Sequence, residues 1–444
     1  MASIRGIITG TNALVWRTVN KAGVPWHKLP GPAGALNLAA LREDLRHDNL
    51  HDTRDDANLD DREELPDLPP YRTYDGTMQD PYDAKMGSVE TRFGRNFPIE
   101  GSAGEEPPRL LTPSPREVSR KLFYRDEFQP ATGLNVLAAA WIQFQNHGWF
   151  GHGTNDPDNV VEMPLGEGDD WTEDPMVVER TTADRTRDPE DGTPATYLNR
   201  VTHWWDGSTI YGSSKERNGA LRAGEDGKLL LIDGKLPLEE DPILAGIDKT
   251  GFNDNYWVGL SLLHTLFAKE HNAICDMLKK SYPSWDDERL FLTARLINAA
   301  LMAKIHTIEW TPGILNTPVL QTGMHSNWYG ALPAWAKASR LLTKAIDIEA
   351  GAGIIGSPQK HHGASFAITE EFISVYRLHP LLPDDFPIHD HATGELVEEV
   401  EFNSLMGNDT RAAVDKFGWT NLMYHFGTEN PGKICLHNHP RALM

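Results

Sequence analysis

The sequence predicts a mainly α-helical domain with few short strands. Three segments, at residues 134–150, 257–280 and 286–310, carry apolar side chains at helical spacing over several turns. Predicted strands do not alternate with helices, and no internal repeat or low-complexity linker interrupts the chain. At 444 residues the chain can bury a large core, so one mostly helical unit is the simplest prediction.

The first part of the chain is predicted to hold little regular structure. Residues 36–45 are typical of a short amphipathic helix, whereas residues 46–67, dense in Asp, His and Arg, are typical of a solvated loop or arm. Residues 69–115 are rich in Pro and Gly, which favours irregular structure that wraps the surface. We therefore expect an N-terminal arm over residues 1–115 and one compact helical domain over residues 116–444.

Helices dominate the remainder. A short helix is predicted at residues 116–124, followed by the first of the three apolar segments and by an acidic loop at residues 166–194. Two long helices come next. The second of them, at residues 286–310, is predicted to be capped by Ser284, with Asp287 at the third position of a capping box.

Composition limits the classes of function. The formal net charge of −22 argues against nucleic-acid binding, which requires a basic face. Two cysteines, Cys275 and Cys435, supply neither a disulfide framework nor a cysteine-based metal site, which favours a reducing compartment. The N-terminus lacks the features of a signal peptide, and no run approaches the ~18 apolar residues of a membrane span. We expect a cytoplasmic protein without a transmembrane segment, and loose contact with a membrane stays open.

A tyrosine and a histidine lie three residues apart near the end of the last predicted helix. This helix begins at Thr369 and is stopped by Pro380 and Pro383, so the spacing puts Tyr376 and His379 on one face. A histidine held in this way can bind a haem iron, and a nearby tyrosine can exchange an electron with the porphyrin. The alternative is a core tyrosine beside a hydrogen-bonded histidine.

A second histidine lies in the apolar segment at residues 134–150. Gln143 and His147 are four positions apart and share a face of the predicted helix. Polar groups in so apolar a helix need partners, which indicates a polar cavity beside them. The distal side of a haem needs an imidazole that moves a proton between peroxide oxygens and an amide that holds it. Alternatively, His147 faces solvent at the helix end, where Gly148 follows.

Both motifs resemble signatures of a known superfamily. Gln143–His147 (QFQNH) and Tyr376–Asp384 (YRLHPLLPD) resemble the distal and proximal signatures of the peroxidase-cyclooxygenase superfamily of haem enzymes. Within it, the chain is most similar to the fatty-acid α-dioxygenases, from about Trp26 onward. The segments that carry this similarity are Met86–Asn96, Trp204–Gly212, Ile305–Thr311 and Asn327–Gly330. We expect the C-terminal part of the family pattern, a further helical segment, to be absent.

The resemblance implies a haem peroxidase-like helical fold, haem b as cofactor and a role for each motif residue. His379 is implied as the proximal ligand of the haem iron, with His147 and Gln143 on the distal side, where peroxide is split. Tyr376 is implied as the radical that removes hydrogen from the carbon next to the carboxylate of a long-chain fatty acid. Dioxygen then adds to that carbon, and a 2-hydroperoxy fatty acid results.

His306 and Thr311 are the candidate substrate-binding residues. In the α-dioxygenases, residues at the matching positions help hold the fatty-acid carboxylate, together with an arginine much nearer the C-terminus. We expect this chain to end before that region, which makes it a fragment, a chain completed by another, or a protein with a different pocket. From the residues alone, a helix-end histidine and a capping threonine are the alternative interpretation.

The segment at residues 202–208 is a candidate site for a hard cation. Alternate residues offer hydroxyl, carbonyl and carboxylate oxygens, the ligands that Ca²⁺ prefers. In the superfamily a loop of this form binds calcium near the distal helix. The ligands implied here are Thr202, Asp206, Ser208 and the backbone oxygen of Trp204. The family usually has an aspartate directly after the distal histidine, where this chain has Gly148, and the alternative is a turn stabilised by Asp206 and Gly207.

Other classes of function stay open. Gly351–Gly356 matches the glycine pattern of a dinucleotide-binding turn, although Ser357 and Pro358 follow in place of a helix. A non-haem metal hydrolase is conceivable from the paired histidines, but no His-Glu-x-x-His motif accompanies them. These histidines are His361, His362, His389 and His391. A haem peroxidase that does not oxygenate fatty acids is the closest rival, and a haem-free binding or structural protein is the last.

Overall fold

The computed structural model describes residues 4–49, 51, 62–102, 104–186, 194–330 and 366–444. Its regular structure is mostly helical, with two antiparallel two-stranded sheets, so the predicted fold class is confirmed. The helices are α1 (Ile4–Lys21), α2 (Gly31–Asn49), α3 (Pro115–Leu122), α4 (Leu137–Asn146), α5 (Ser208–Tyr211), α6 (Lys215–Leu221), α7 (Val258–Ser281), α8 (Asp287–Ile305), α9 (Thr311–Ile314), α10 (Pro318–Tyr329), α11 (Glu370–Val375), α12 (Thr410–Phe417) and α13 (Trp419–Thr428). The strands are β1 (Asn155–Met163), β2 (Met176–Thr181), β3 (Asp385–His389) and β4 (Leu396–Glu401). None of the described helices is both long enough and apolar enough to cross a membrane.

Helix α7 is the centre of the hydrophobic core, and α4, α8, α12 and α13 pack on it. Phe144 of α4 stacks on Phe267 of α7 with 5.4 Å between the ring centroids, and Trp141 lies 5.7 Å from the same ring. At the N-terminus of α7, the buried Trp257 contacts the rings of Phe386, Phe402 and Phe426. Each fully buried large apolar side chain contributes roughly 1.5–3 kcal/mol of transfer free energy, so this packing holds α4 in one position.

The predicted helices are present, with boundaries that differ from the expectation. α4 is shorter than residues 134–150 and ends at His147, which caps it. α8 begins one residue after Asp286, whose carboxylate accepts a hydrogen bond of 2.9 Å from the Arg289 amide. The predicted cap at Ser284 is therefore wrong, because the aspartate two positions later offers a stronger acceptor to the first turn.

The acidic segment at residues 166–194 was expected to be a loop, and this expectation is partly wrong. It contains β2, which pairs with β1 in an antiparallel hairpin that has a bulge between Asp156 and Val160. The β-branched Val177 and Val178 favour a strand, but the surrounding Asp and Glu residues obscure that preference in the sequence. Residues 187–193 lie outside the described part of the chain.

The N-terminal segment packs on the helical domain. The predicted helix at residues 36–45 lies within the longer α2, whereas α1 was not predicted. Asn20 and Asn37 join α1 to α2 by two reciprocal side-chain hydrogen bonds of 3.0 Å. α2 crosses α10 at Gly34, where an added Cβ would lie 2.1 Å from Val319, so glycine permits this close approach. The residues described between 62 and 114 are irregular apart from one short 3₁₀ turn, Ile99–Ser102, as predicted.

A C-terminal glycine holds the loop that follows α11. The amide of Gly432 donates to the carbonyl of Leu381 at 3.1 Å, and an added Cβ would lie 1.9 Å from the carbonyl oxygen of Pro380. We expect Gly432→Ala to destabilise the protein by about 1–3 kcal/mol, because the new methyl group must displace backbone atoms. The drop in Tm in a thermal melt measures this effect.

The matched control is Gly427→Ala, five residues earlier. Gly427 lies in α13 with no atom within 4 Å of an added Cβ, and alanine favours a helix by up to about 1 kcal/mol over glycine. Its Tm is expected to stay equal or to rise. Equal Tm values for the two variants would contradict the close contact at Pro380.

Candidate active site

The first wall of the site is the polar face of α4. The apolar side chains of this helix pack on α7, which leaves Gln143 and His147, one turn apart, on the same side. Trp257 donates from its indole nitrogen to Oε1 of Gln143 at 2.7 Å. Because an indole can only donate, this bond assigns the amide orientation, and Nε2 of Gln143 faces the carbonyl of Asn255 at 3.1 Å.

His147 is a buried, neutral imidazole. Its Nε2 lies 3.5 Å from Nε2 of Gln143, at the limit of a hydrogen bond, and Phe252 meets its ring edge-on at 5.1 Å. Since the amide nitrogen can only donate, this contact favours the tautomer with the proton on Nδ1. Nδ1 itself is buried and has no hydrogen-bond partner among the described residues. Burial lowers the pKa of His147 to about 4, so the ring is neutral and Nε2 keeps its lone pair above about pH 4.

The second wall is the segment that follows α11. Thr369 caps this helix as predicted, with its hydroxyl accepting from the amide of Phe372 at 3.2 Å. The helix ends at Val375, and His379 begins a separate 3₁₀ turn, so the prediction that Tyr376 and His379 share one helical face is wrong. Pro380 has no amide hydrogen for a helical bond to the carbonyl of Tyr376, which prevents the helix from continuing.

Arg125 holds the turn that contains His379. This fully buried arginine donates to the carbonyls of Pro380 and Leu382 at 3.2 and 3.0 Å and forms an ion pair of 3.1 Å with Asp384. Its Nε donates to Asn438 at 2.9 Å. Sequence reasoning missed both Arg125 and Asn438, because 313 positions separate them and neither belongs to a local pattern.

His379 is half-buried, and its pKa is lowered mainly by burial, with smaller contributions from the charges of Arg377 and His439. A neutral imidazole retains the lone pair that a metal ion requires. Below this turn, Leu381 packs on Ala139 and Ile142 of α4, so an apolar contact joins the two walls.

Tyr376 and His306 meet the same pair of tryptophans. The ring of Tyr376 stacks on Phe372 at 4.6 Å and lies 6.2 Å from Trp310 and 6.5 Å from Trp149. The His306 imidazole stacks on Trp310 at 4.8 Å and meets Trp149 edge-on at 5.3 Å. The structure thus brings two residues that are 70 positions apart to one aromatic cluster. Burial raises the pKa of Tyr376 to about 12, so its phenol keeps its hydrogen at neutral pH.

His306 is held in one tautomer. The indole of Trp141 on α4 donates to Nδ1 of His306 at 3.2 Å, and burial lowers the pKa of this histidine to about 4. The proton of the neutral ring therefore lies on Nε2, which makes His306 a hydrogen-bond donor. Trp141 was not among the predicted site residues, and its only signal is its position two residues before Gln143.

Thr311 follows His306 after a π-helical turn, His306–Trp310. Its hydroxyl donates to the carbonyl of His306 at 2.8 Å, so the hydroxyl proton is used within the backbone. The wider turn is a feature often found at functional sites. It replaces the last part of the straight helix predicted for residues 286–310.

The sequence also suggested other candidate sites, and the structure describes some of their residues. Thr202, Asp206 and Ser208 contact one another near the end of α4, with 2.9 Å from the Thr202 hydroxyl to the Asp206 carboxylate. No group of three or more His, Cys, Asp or Glu side chains suited to a metal ion occurs within the described ranges. Of the paired histidines, His391 contacts Asn421 at 2.7 Å. Residues 331–365, which include the glycine pattern 351–356 and the pair 361–362, lie outside the described residues.

A family model described as "Animal haem peroxidase" matches residues 71–444 of this chain. Alpha-dioxygenase PIOX of Oryza sativa subsp. japonica is 34% identical over 430 residues, which cover 94% of this chain and 66% of that protein. Alpha-dioxygenase 1 of Capsicum annuum is 36% identical over 428 residues, which cover 94% of this chain and 64% of that protein. The chain thus spans slightly less than two thirds of the length of these curated relatives.

Solved structures agree with these similarities. The crystal structure of Oryza sativa fatty acid alpha-dioxygenase matches with a TM-score of 0.81 and 32% identity, over 98% of this chain and 70% of that one. A crystal structure of a tyrosine-to-phenylalanine variant of that Oryza sativa protein with palmitic acid matches with the same TM-score of 0.81, 31% identity and the same coverage. Peroxidase A from Dictyostelium discoideum, with a TM-score of 0.62 and 18% identity over 84% of this chain and 73% of that one, shares the fold.

The buried histidines are expected to make the stability of the fold sensitive to acid. His425 is suited to measuring the contribution of a single ring to this pH dependence. It lies in α13, away from both walls of the site, is 1% exposed and contacts the carbonyl of Pro387 at 2.8 Å. Burial lowers its pKa to about 4 in the folded protein, whereas an unfolded histidine titrates near 6.5. Between these values the unfolded chain binds the extra proton, so this stability is complete above pH 6.5 and is lost as the pH falls toward 4.

We therefore expect His425→Gln to show a weaker loss of stability with acid than the parent protein. Between pH 7 and pH 5 the free energy of unfolding of the parent should fall by about 2 kcal/mol more than that of the variant, as measured by urea unfolding. The exposed His391→Gln is the control and should follow the parent curve. Parallel curves for all three proteins would contradict a desolvated His425.

Proposed function

Because the chain belongs to the animal haem peroxidase family, we propose that it binds haem b and oxygenates long-chain fatty acids at the α-carbon, giving 2-hydroperoxy fatty acids. The observation that carries this proposal is the cluster in which Trp149 and Trp310 contact both Tyr376 and His306. The Tyr376 phenol, which we propose abstracts hydrogen, and the His306 ring, which we propose donates to a carboxylate, then lie beside the same two tryptophans. The names of the alpha-dioxygenase relatives, and the palmitic acid in one solved structure, support the same substrate class.

We propose that side chains from both walls would hold the haem. We propose His379 as the proximal ligand, since its half-buried neutral imidazole has a free lone pair and lies in a turn clamped by Arg125. His147 would lie on the other side of the haem, as the family resemblance implies, with the unprotonated Nε2 of its buried ring beside Gln143. We propose haem b as the form of the cofactor, as the family resemblance implies. Haem, when bound, supplies the one-electron oxidant that a tyrosyl radical requires.

The polar face of α4 handles protons. With haem bound, Nε2 of His147 would accept a proton from peroxide and return it to the departing oxygen, because the ring is neutral above about pH 4. Gln143 holds its amide hydrogens toward this nitrogen, and Trp257 keeps the amide from rotating. These residues are preorganised by the core packing rather than by the substrate.

Tyr376 performs the hydrogen transfer. Its phenol is protonated at neutral pH and lies half-buried among apolar rings, so a tyrosyl radical formed from it would be partly shielded from water. The radical takes the hydrogen atom from the carbon beside the carboxylate, dioxygen adds to the carbon radical, and the peroxyl group recovers a hydrogen atom from Tyr376. Regiochemistry follows from where the carboxylate is held.

His306 anchors that carboxylate through Nε2–H. Its Nδ1 is occupied by Trp141, and burial keeps the ring neutral, so His306 donates a hydrogen bond without forming an ion pair. Thr311 contributes lone pairs only, because its proton bonds the carbonyl of His306. We propose Thr311 as a shaping residue beside the anchor.

A haem peroxidase that does not oxygenate fatty acids is the alternative, and one experiment separates the two. Purified, haem-loaded protein is given a saturated C16 fatty acid while dioxygen uptake and the Soret spectrum are recorded. A Soret band with uptake supports the dioxygenase, and a Soret band without uptake supports the peroxidase. No Soret band after addition of haem contradicts both enzymes and favours the haem-free protein.

Tyr376→Phe is expected to abolish fatty-acid-dependent dioxygen uptake, since phenylalanine has no hydrogen atom to give up. Peroxide-driven oxidation of guaiacol should persist, because His147 and His379 are unchanged. Both rates are measured on the same haem-loaded sample. Equal loss of the two activities would count against a radical at Tyr376.

Trp141→Phe is expected to raise KM for the fatty acid roughly fivefold, because it removes one hydrogen bond. That bond, from the indole to Nδ1, selects the tautomer of His306. The matched control is Trp328→Phe, which removes an indole donor to the Thr307 hydroxyl at 2.6 Å, one residue from His306. That variant should keep the KM of the parent, and guaiacol oxidation should be unchanged in both. A similar rise in KM for the two variants would refute the tautomer role.

Calcium is the second cofactor that the sequence suggested, with Thr202, Trp204, Asp206 and Ser208 as ligands. It is not part of the proposed mechanism.

A further inference from the structure

A buried carboxylate lies at the centre of the segment at residues 202–208. Oδ2 of Asp206 accepts the Thr202 hydroxyl at 2.9 Å, and Oδ1 accepts the Ser208 amide at 2.9 Å. Arg295 of α8 adds a guanidinium, with Nη2 at 3.5 Å from Oδ2 and Nε donating to the Asp206 carbonyl at 3.3 Å. All four residues are at most 2% exposed, so this pair is shielded from solvent.

The hydroxyl oxygens of this segment are engaged with the protein. The Thr202 hydroxyl donates to Asp206, and the Ser208 hydroxyl donates to the carbonyl of Gly148 at 2.9 Å. The two hydroxyl oxygens lie 3.4 Å apart. A calcium ion needs six to eight oxygen ligands at 2.3–2.6 Å. The oxygens present here are instead arranged as donors and acceptors to one another.

Gly148, directly after His147, supplies no carboxylate, and the space for a larger side chain at this position is small. An added Cβ would lie 3.0 Å from the amide nitrogen of Thr209 and 3.3 Å from its Cβ. The neighbouring cavity has a volume of about 10 Å³, the space of one water molecule. Its lining includes Trp149, Trp204 and Trp205, but none of the side chains of Thr202, Asp206 and Ser208.

The negative charge of Asp206 is already more than compensated without a metal ion. Asp206 carries one negative charge, whereas Arg295 and Arg72 carry two positive charges. Arg72 interacts electrostatically with both Asp206 and Arg295. Burial has the largest effect on the pKa of Arg72 and lowers it, Asp206 raises this pKa, and Arg295 lowers it. A calcium ion would bring two further positive charges to one carboxylate in a desolvated site, which Coulomb repulsion opposes.

We infer that this chain holds the segment at residues 202–208 without bound metal, and that Arg295 supplies the positive charge that the buried Asp206 needs there. The consequence reaches the candidate active site, because Ser208 bonds the carbonyl of Gly148, directly after His147. Arg295 is thus a positioning residue for the end of α4. The inference is independent of whether the enzyme oxygenates fatty acids, since it concerns the metal content of the protein itself.

The first test measures calcium in the full chain, haem-loaded as purified. The protein is incubated with calcium chloride, desalted, and its metal content determined by mass spectrometry, and its Tm is recorded in calcium and in EDTA. We expect no stoichiometric calcium and the same Tm in both buffers. One calcium ion per chain, or a Tm that falls in EDTA and recovers with calcium, would overturn the inference.

The second test removes the charge. Arg295→Met should lower Tm by several degrees, because it leaves Asp206 buried and unpaired. Arg289→Met, at an exposed position on the same helix, is the matched control and should leave Tm nearly unchanged. Adding Asp206→Asn to Arg295→Met should recover part of the loss, since the pair is then removed together. Equal Tm values for the two single variants would show that Arg295 does not carry the role, and if Arg295→Met fails to fold, the metal content of the unmodified protein decides.

Discussion

The packing of α4 against α7 is the constraint on which the site depends. Phe144 stacks on Phe267 in the core, and this contact determines where the ten residues of α4 lie. Gln143 and His147 then lie on one face of the helix, and Trp141 reaches His306. The carbonyl of Gly148, after the end of the helix, receives the Ser208 hydroxyl. A shift of this one helix would therefore disturb the Gln143–His147 pair, the hydrogen bond to His306 and the segment around Asp206 together.

Exclusion of water sets the protonation state of the chemical groups. Burial lowers the pKa values of His147 and His306 to about 4 and raises that of Tyr376 to about 12, so all three are neutral near pH 7. A neutral imidazole can accept or donate at a defined nitrogen, which an exposed and exchanging ring does less selectively. The buried charges that support the site occur as pairs, Arg125 with Asp384 and Arg295 with Asp206. Pairing keeps the desolvation cost of these four groups low enough for a stable fold.

Local patterns predicted most of the helices and the residues that face the site. The apolar periodicity identified α4, α7 and α8, and the spacing of Gln143 and His147 correctly indicated a shared face. Predictions failed where a nearby group competed with the expected one. Asp286 caps α8 in place of Ser284, and Pro380 ends the helix before Tyr376 and His379 can share it. The strand β2 was missed because acidic neighbours masked its two valines.

The sequence by itself determined the mainly helical fold class, the family resemblance and the identity of the motif residues, because helical periodicity and short motifs are local in the chain. Only the tertiary structure decided how those residues are held. Trp141 reaches His306 across 165 positions, Arg125 meets Asn438 across 313, and Arg295 meets the Asp206 carbonyl across 89. No local spacing encodes these pairs. They form when the helices pack and water is expelled, since a buried donor or charge must then find whichever partner the fold brings within reach.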